Sequence, residues 1–307
     1  MGVTSFCVLR DRAVVRVAGA DAHHFLQSLV TSDLDVVRPA EPGTQGRAAF
    51  AALLTPQGKI LFDFLVAAEP GGGFLVDIAA ASVAAFVKRL AMYRLRAKVD
   101  IAALGDDMAV VAAWGGAPPQ EGVVFADPRL ADLGFRALVA PDRVPALAAA
   151  GAEDVGEEAY HAHRIALGVP EGGRDFAFGD VFPHDVDMDC LSGVDFTKGC
   201  YVGQEVVSRM EHRGTARRRF VRVAATGIVV DALPPAGTEI SAAGRSIGIL
   251  GSSAGPRGLA LVRLDRAAEV MAAGEPILAG ETVVALTLPA FARFEWPPVA
   301  SASAGEG

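Results

Sequence analysis

From about residue 217 the chain changes character, and that change limits the possible folds more than any other feature. Short β-rich runs at 219–225, 238–241, 246–252, 258–264, 276–278 and 282–288 alternate with Gly, Pro and Ser turns. One brief helical stretch near 266–272 interrupts them. Strands this short and evenly spaced cannot each bury a face alone, so they predict a small antiparallel barrel or sandwich. The preceding two-thirds reads differently. Val14, Val15 and Val17 predict a strand, and Asp21 caps a helix with Phe25, Leu26, Leu29 and Val30 on one face. Runs at 48–54 and 60–67 flank the turn Thr55-Pro56-Gln57-Gly58, a hairpin with Pro and Gly in turn positions. A strand at Phe74 to Ile78 precedes a Ser82-capped helix carrying Val83, Phe86, Val87 and Leu90. Strands near 108–114 and 134–140 and helices over 142–150 and 157–167 complete this part. Hairpins packed with helices, rather than alternating parallel βα units, make it α+β.

A length of 307 residues suggests about two domains. The composition, 51% hydrophobic and 21% charged, is that of a soluble globular protein. A net charge of −8 argues against stable nucleic-acid binding. No charged segment with a long apolar run opens the chain, and no stretch of about 18 apolar residues occurs, so neither secretion nor membrane insertion is expected. Cys7, Cys190 and Cys200 are too few and too scattered for a disulfide framework, and they form no Cys-x-x-Cys box. The expectation is a cytoplasmic monomer with no resident metal. His161 and His163, two apart on a helix, point to different faces and make poor ligands. The tail over 296–307 has nothing to bury and is expected to be disordered.

The chemistry concentrates in Lys198-Gly199-Cys200-Tyr201-Val202-Gly203-Gln204-Glu205. Val202, Val206, Val207 and Met210 recur at helical spacing, and Gly214 is a natural stop. Cys200 thus precedes the positive end of a helix dipole, near Lys198, and both favour thiolate. A small apolar residue packed in a Gly-bounded turn is the equal alternative.

With Arg209, Arg213 and Arg217-Arg218-Arg219 downstream, this octapeptide resembles the signature of the YgfZ family. These are folate-binding relatives of the glycine-cleavage T-protein (aminomethyltransferase), implicated in iron–sulfur cluster assembly and repair. Four further stretches agree in order: Phe25-Leu26-Gln27 running into Thr31-Ser32-Asp33-Leu34, Leu54 to Ile60, Tyr93-Arg94-Leu95-Arg96, and Arg164 to Pro170. The resemblance spans residues 5–290 or so and implies the T-protein fold. In that fold two intertwined α+β domains and a C-terminal β-barrel surround a central folate channel. The implied domains are 1–47 with 127–216, an insert over 48–126, and a barrel over 217–295. The implied cofactor is tetrahydrofolate or another reduced folate, and the implied partners are iron–sulfur assembly factors or client proteins. The competing function is a folate-dependent one-carbon transferase.

The resemblance also nominates site residues. Aligned by its apolar positions, Gly58 to Val66 places Asp63 near the reactive nitrogens of folate; the residues alone also allow a solvent-facing edge position. Lys198 is a candidate anchor for the folate tail, a thiolate partner or a surface residue. Tyr201, Gln204 and Arg209 are further folate-contact candidates. Gln204 and Glu205 alternatively serve the first-turn amides of the helix, and Arg209 alternatively sits on a solvated face. True aminomethyltransferases carry a pterin-binding glutamate where this chain has Ala166. A methyl group accepts no pterin N–H bond, which counts against aminomethyl transfer.

Overall fold

The computed structural model describes residues 2–41, 45–214, 216–226 and 231–299. Strands and α-helices are numbered along the chain. One five-stranded sheet contains β1 (Ser5–Val8), β7 (Ala109–Trp114), β8 (Val123–Ala126), β9 (Phe135–Val139) and β10 (Glu153–Asp154), in the order β10-β1-β7-β9-β8. The other contains β2 (Arg12–Ala18), β3 (Ala49–Leu54), β4 (Ile60–Ala68), β5 (Phe74–Ala79) and β6 (Asp100–Ala103), in the order β3-β4-β5-β2-β6. From residue 218 six strands close into an antiparallel barrel: β11 (Arg218–Ala225), β12 (Glu239–Ala242), β13 (Arg245–Ala254), β14 (Arg257–Arg263), β15 (Ile277–Ala279) and β16 (Thr282–Thr287). Closure comes from β16 pairing back onto β11, Arg222 opposite Thr287. It removes the exposed edges that such short strands would otherwise present. The six helices are α1 (Ala22–Gln27), α2 (Val83–Arg94), α3 (Val144–Ala149), α4 (Glu157–Leu167), α5 (Gln204–Arg213) and α6 (Leu264–Ala273).

Strand alternation sorts the cores. Val15, Val17, Val76 and Ile78 turn outward from the second sheet and are covered by Phe25 and Leu26 of α1 and Phe86 and Leu90 of α2. Their sequence neighbours Val14 and Leu75 turn inward, to a central core shared with Val110, Ala112 and Leu138 of the first sheet, Tyr160 and Ile165 of α4, and Phe220 of the barrel. Arg12, Asp63, Asp77 and Arg136 follow the same alternation, so their charged groups also enter the space between the sheets. The barrel has its own interior, built on Val221, Ile240, Leu250 and Val262.

Sheet membership divides the chain near residues 10 and 105. The expected domain bounds at 47/48 and 126/127 therefore cut both sheets. β2 pairs with β5 and β6, which follow it, whereas β1 pairs with β7 far along the chain. Hydrophobic pattern fixes a strand's buried face but not its partner. Asp21 does head α1, but its carboxylate accepts the backbone N–H of Lys98 (2.7 Å) instead of capping. Ser82 also makes no capping bond. Residues 300–307 of the expected tail lie outside the described residues. Among the described residues no helix is long and apolar enough to cross a membrane.

Candidate functional site

The loop carrying Cys200 is held from three sides. Asp195 Oδ1 accepts from the backbone N–H groups of Thr197 (2.7 Å) and Lys198 (3.0 Å) and from the Thr197 hydroxyl (2.7 Å). Burial would raise the Asp195 pKa, but these donors outweigh it and hold the carboxyl below its usual range. Lys198 then reaches back to the end of α1. Its Nζ donates to the carbonyls of Gln27 (2.9 Å), Val30 (2.8 Å) and Ser32 (2.7 Å), closing the end of α1. An ammonium has three N–H donors, and all three are used. Burial is nevertheless the larger effect and brings Lys198 down to about 8.

The third restraint is a crossing of two glycines. Gly203 (φ +83°) lies at the entrance to α5, where a Cβ would fall 2.6 Å from the Thr55 carbonyl oxygen. Gly58 (φ +80°) faces it, and a Cβ there would meet Val206 Cβ at 3.0 Å. Both positions need a positive φ and no side chain, which fits only glycine without strain. Thr31, fully buried, donates to the Gly193 carbonyl (2.6 Å) and accepts from the Ala52 N–H (2.8 Å), tying the same loop to β3. Three stretches far apart in sequence thus meet around the cysteine loop.

Cys200 itself is exposed, whereas Cys7 and Cys190 are buried and burial pushes both thiols up to about 12. Tyr201 packs inward; its hydroxyl has no partner, and burial raises it to about 12. Gln204 begins α5, and Arg209 is paired on the outer face of that helix with Glu205, one turn earlier.

Asp63 lies elsewhere. It is on β4, inside the sheet rather than at its edge, and only 7% exposed. It joins a buried ionic network. Arg12 bonds Asp77 (2.6 Å), Arg129 bonds Asp127 (2.7 Å), and Arg136 lies 3.5 Å from Asp127 and 3.9 Å from Asp77. Arg164, with no exposed surface, bonds Glu171 (3.0 Å), Asp175 (2.8 Å) and Ser252 Oγ (2.9 Å), so α4 is tied to the barrel. Burial would raise Glu171, yet Arg164, Arg12 and Arg129 together bring it down to about 2. For Asp63 burial prevails over Arg12 and Arg129, and its pKa is raised. Four arginines face five carboxylates here, and the charges balance when Asp63 keeps its proton. Asp63 Oδ1 has no hydrogen-bond partner and is covered from the Gly172 side: a Cβ on Gly172 would fall 2.8 Å from it and 2.5 Å from the Phe178 ring.

A cavity of about 780 Å³ opens beside this network, within the usual range for a cofactor site. Phe50, Val194 and Phe196 supply apolar wall, Arg47, Arg219 and Arg293 positive charge, and Asp33, Asp127, Asp189, Asp195 and Glu211 negative charge. Asp127 is the link to the network, and Arg129 lies 5.8 Å from the Phe50 ring centre. None of Cys200, Asp63, Lys198, Tyr201, Gln204 and Arg209 lines the cavity. Asp63 is opposite Ala52 in the β3–β4 pair, two residues along from Phe50, and so lies one step behind the cavity wall. Arg219 belongs to the Arg217-Arg218-Arg219 run already singled out in the sequence, whereas sequence reading missed Arg47, Asp127 and Arg293 as lining residues. Those three come from separate segments without a shared motif, and no local signal marks them.

Comparison with known proteins fits this architecture. Residues 217–294 match the family described as CAF17, C-terminal beta-barrel domain. The human iron–sulfur cluster assembly factor IBA57, mitochondrial, is 35% identical over 278 residues, covering 83% of this chain and 76% of the human protein. Its mouse counterpart is 34% identical over 292 residues, covering 85% and 78%. Among solved structures, the glycine cleavage system aminomethyltransferase T from Bartonella henselae superposes with a TM-score of 0.68 at 16% identity, covering 95% of this chain and 87% of that one. The fold is therefore the T-protein fold with its C-terminal barrel, and the cysteine motif, the barrel match and the identity along most of both chains place this protein in the IBA57/CAF17 family, to which YgfZ is related.

Proposed function

We propose that this protein is an accessory factor for iron–sulfur cluster assembly or repair, with Cys200 as its working thiol and a reduced folate held in the 780 Å³ cavity. The observation that carries the reading is the position of Cys200. It is the exposed one of three cysteines, on a loop fixed by Lys198, Asp195 and the Gly58–Gly203 crossing, in a chain related to named assembly factors. A thiol on a rigid, accessible loop suits transient contact with a cluster or a client protein, both of which are substrate here and not resident groups.

The cavity fits folate in size and chemistry. Phe50 and Phe196 offer flat apolar surface to a pterin, and Arg47 and Arg293 offer positive charge to the glutamate carboxylates. Folate would supply one-carbon chemistry or act as a structural effector. Asp63 supports the wall from behind through its network. The reading of Lys198 and Arg209 as tail anchors gives way to Arg47 and Arg293, because the first two are already paired. Partners are iron–sulfur assembly factors or client proteins. Three free cysteines suit a reducing compartment, whether the cytoplasm or the mitochondrion named for the relatives. A strain lacking the gene, assayed for several iron–sulfur enzymes, tests the reading. Wild-type protein should restore them and Cys200→Ser should not; full restoration by the variant refutes the role of the thiol.

A further inference from the structure

Two carboxylates on the cavity wall meet a buried histidine. His184, Asp189 and Glu211 each present one ligand atom, and the three atoms all lie within 4.8 Å of one another. His184 is 1% exposed and stands on the short turn Pro183–Val186. Asp189 follows five residues later, and Glu211 reaches across from α5 with its side chain 43% exposed. A first-row divalent ion with bonds of about 2.1 Å spaces its ligands about 3–4 Å apart, so a small closing movement brings this trio into range.

The cluster also contains groups left unused. His184 Nε2 lies 2.9 Å from Glu211 Oε2, but Nδ1 is buried without a partner. Among the described residues neither carboxylate oxygen of Asp187, a fully buried residue, has a hydrogen-bond partner, and Oδ1 lies 3.6 Å from the Arg219 nitrogen that also binds Asp189. Buried polar atoms without partners are costly and rare unless another state of the protein uses them. Arg219 opposes a cation here, since it holds both oxygens of Asp189 at 2.5 and 2.9 Å. Each of those oxygens retains a second lone pair, so the guanidinium fixes the direction of the carboxylate and moderates the affinity without closing the site. Glu211 supplies negative charge that offsets it.

We propose that His184, Asp189 and Glu211 bind one divalent first-row cation on the cavity wall, with its remaining coordination positions open to the cavity. Nitrogen and oxygen donors without thiolate select ions such as Fe²⁺, Mn²⁺ or Zn²⁺ over Cu⁺. The thiol of Cys190, 3.7 Å from Asp189 Oδ2, donates to that carboxylate and stays outside the ligand set. The site does not depend on the folate reading.

Co²⁺ is the probe, titrated into the purified full-length chain and followed by its visible d–d absorption and by calorimetry. One ion should bind per chain, without the near-ultraviolet charge-transfer band of thiolate ligation, and Cys200→Ser should bind equally well. Glu211→Gln, whose side chain is partly exposed on α5 and leaves the core intact, should weaken binding at least tenfold, as should His184→Gln. If the histidine variant does not fold, the glutamate variant decides alone. No saturable binding, an unchanged affinity in Glu211→Gln, or a thiolate band lost in Cys200→Ser overturns the assignment.

Discussion

Replacing Lys198 by Met isolates what the ammonium does, because the two side chains share an apolar stem and only the charge and its donors are lost. Three hydrogen bonds disappear, to the carbonyls of Gln27, Val30 and Ser32. A hydrogen bond to a charged group contributes about 1.5–3 kcal/mol. The burial that brings Lys198 down to about 8 takes back part of that sum, screened by the solvent that still reaches the group. A net loss of about 2–3 kcal/mol remains. It should be local, since the bonds join the end of α1 to the Cys200 loop. Peptide-resolved hydrogen exchange should show protection over residues 27–33 and 195–203 falling by about thirtyfold or more. The sign of the pH dependence follows from the depressed pKa. Between about 8 and the ordinary 10.5, the unfolded chain still holds a proton that the folded chain has released. Wild-type stability should therefore rise with pH across that window, and the rise should be missing in Lys198→Met. Protection within twofold of wild type in both segments would refute the reasoning and return Lys198 to the surface or to a ligand.

Timed alkylation with peptide mass spectrometry should label Cys200 well before Cys7 and Cys190, whose buried thiols stay protonated; faster labelling of either one contradicts the assignment. Gly203→Ala should destabilise the protein by about 1 kcal/mol or more, through its positive φ and the 2.6 Å approach to the Thr55 carbonyl, and a melting temperature unchanged from wild type contradicts the crossing. Glu171, held at about 2 against an ordinary 4.5, contributes stability that is present above pH 4.5 and lost as pH falls toward 2. Glu171→Gln should flatten acid unfolding in that window, and an identical acid limb in the variant would remove Glu171 from the account. With Ala166 in place of the pterin-binding glutamate, aminomethyl-loaded carrier plus tetrahydrofolate should give no appreciable methylene-tetrahydrofolate; turnover near that of an authentic T-protein would favour the transferase reading.

The barrel strands were legible because each is short and bounded by turn residues: the six expected runs match β11 to β16 within a few residues. Helix α4 was read at its observed bounds, where Gly168 adopts the left-handed conformation past its end. The pairing of β1 with β7 was not legible, since it joins residues 5–8 to 111–114 with no pattern announcing the partner. The same limit applies to the site. Cys200 could be singled out because its neighbour in sequence, Gly203, also shapes the loop in space. The role of Lys198 stayed open in the sequence because its partners, Gln27 to Ser32, lie about 170 residues away. Asp63 stood out as one carboxylate in an apolar strand. That its neighbours are Arg12, Arg129 and Glu171 depends on how the two sheets face each other.

The same geometry explains how the T-protein frame is held together in this chain. Four buried arginines between the sheets each require a carboxylate, and Arg12, Arg129, Arg136 and Arg164 come from β2, the β8–β9 connection, β9 and α4. Removing one partner would leave a charge uncompensated at a cost of about 3–5 kcal/mol, so the network fixes the mutual placement of both sheets, α4 and the barrel. Asp63 is drawn into that role as the fifth carboxylate, its pKa raised and its outer side covered by Phe178 and Gly172. The exposed cysteine, Cys200, lies on a loop fastened to α1, β3 and the Thr55–Gly58 turn. Rigid support for an accessible thiol then comes from the stretches around residues 25–34, 54–60 and 198–205, which explains why these motifs occur together in one chain.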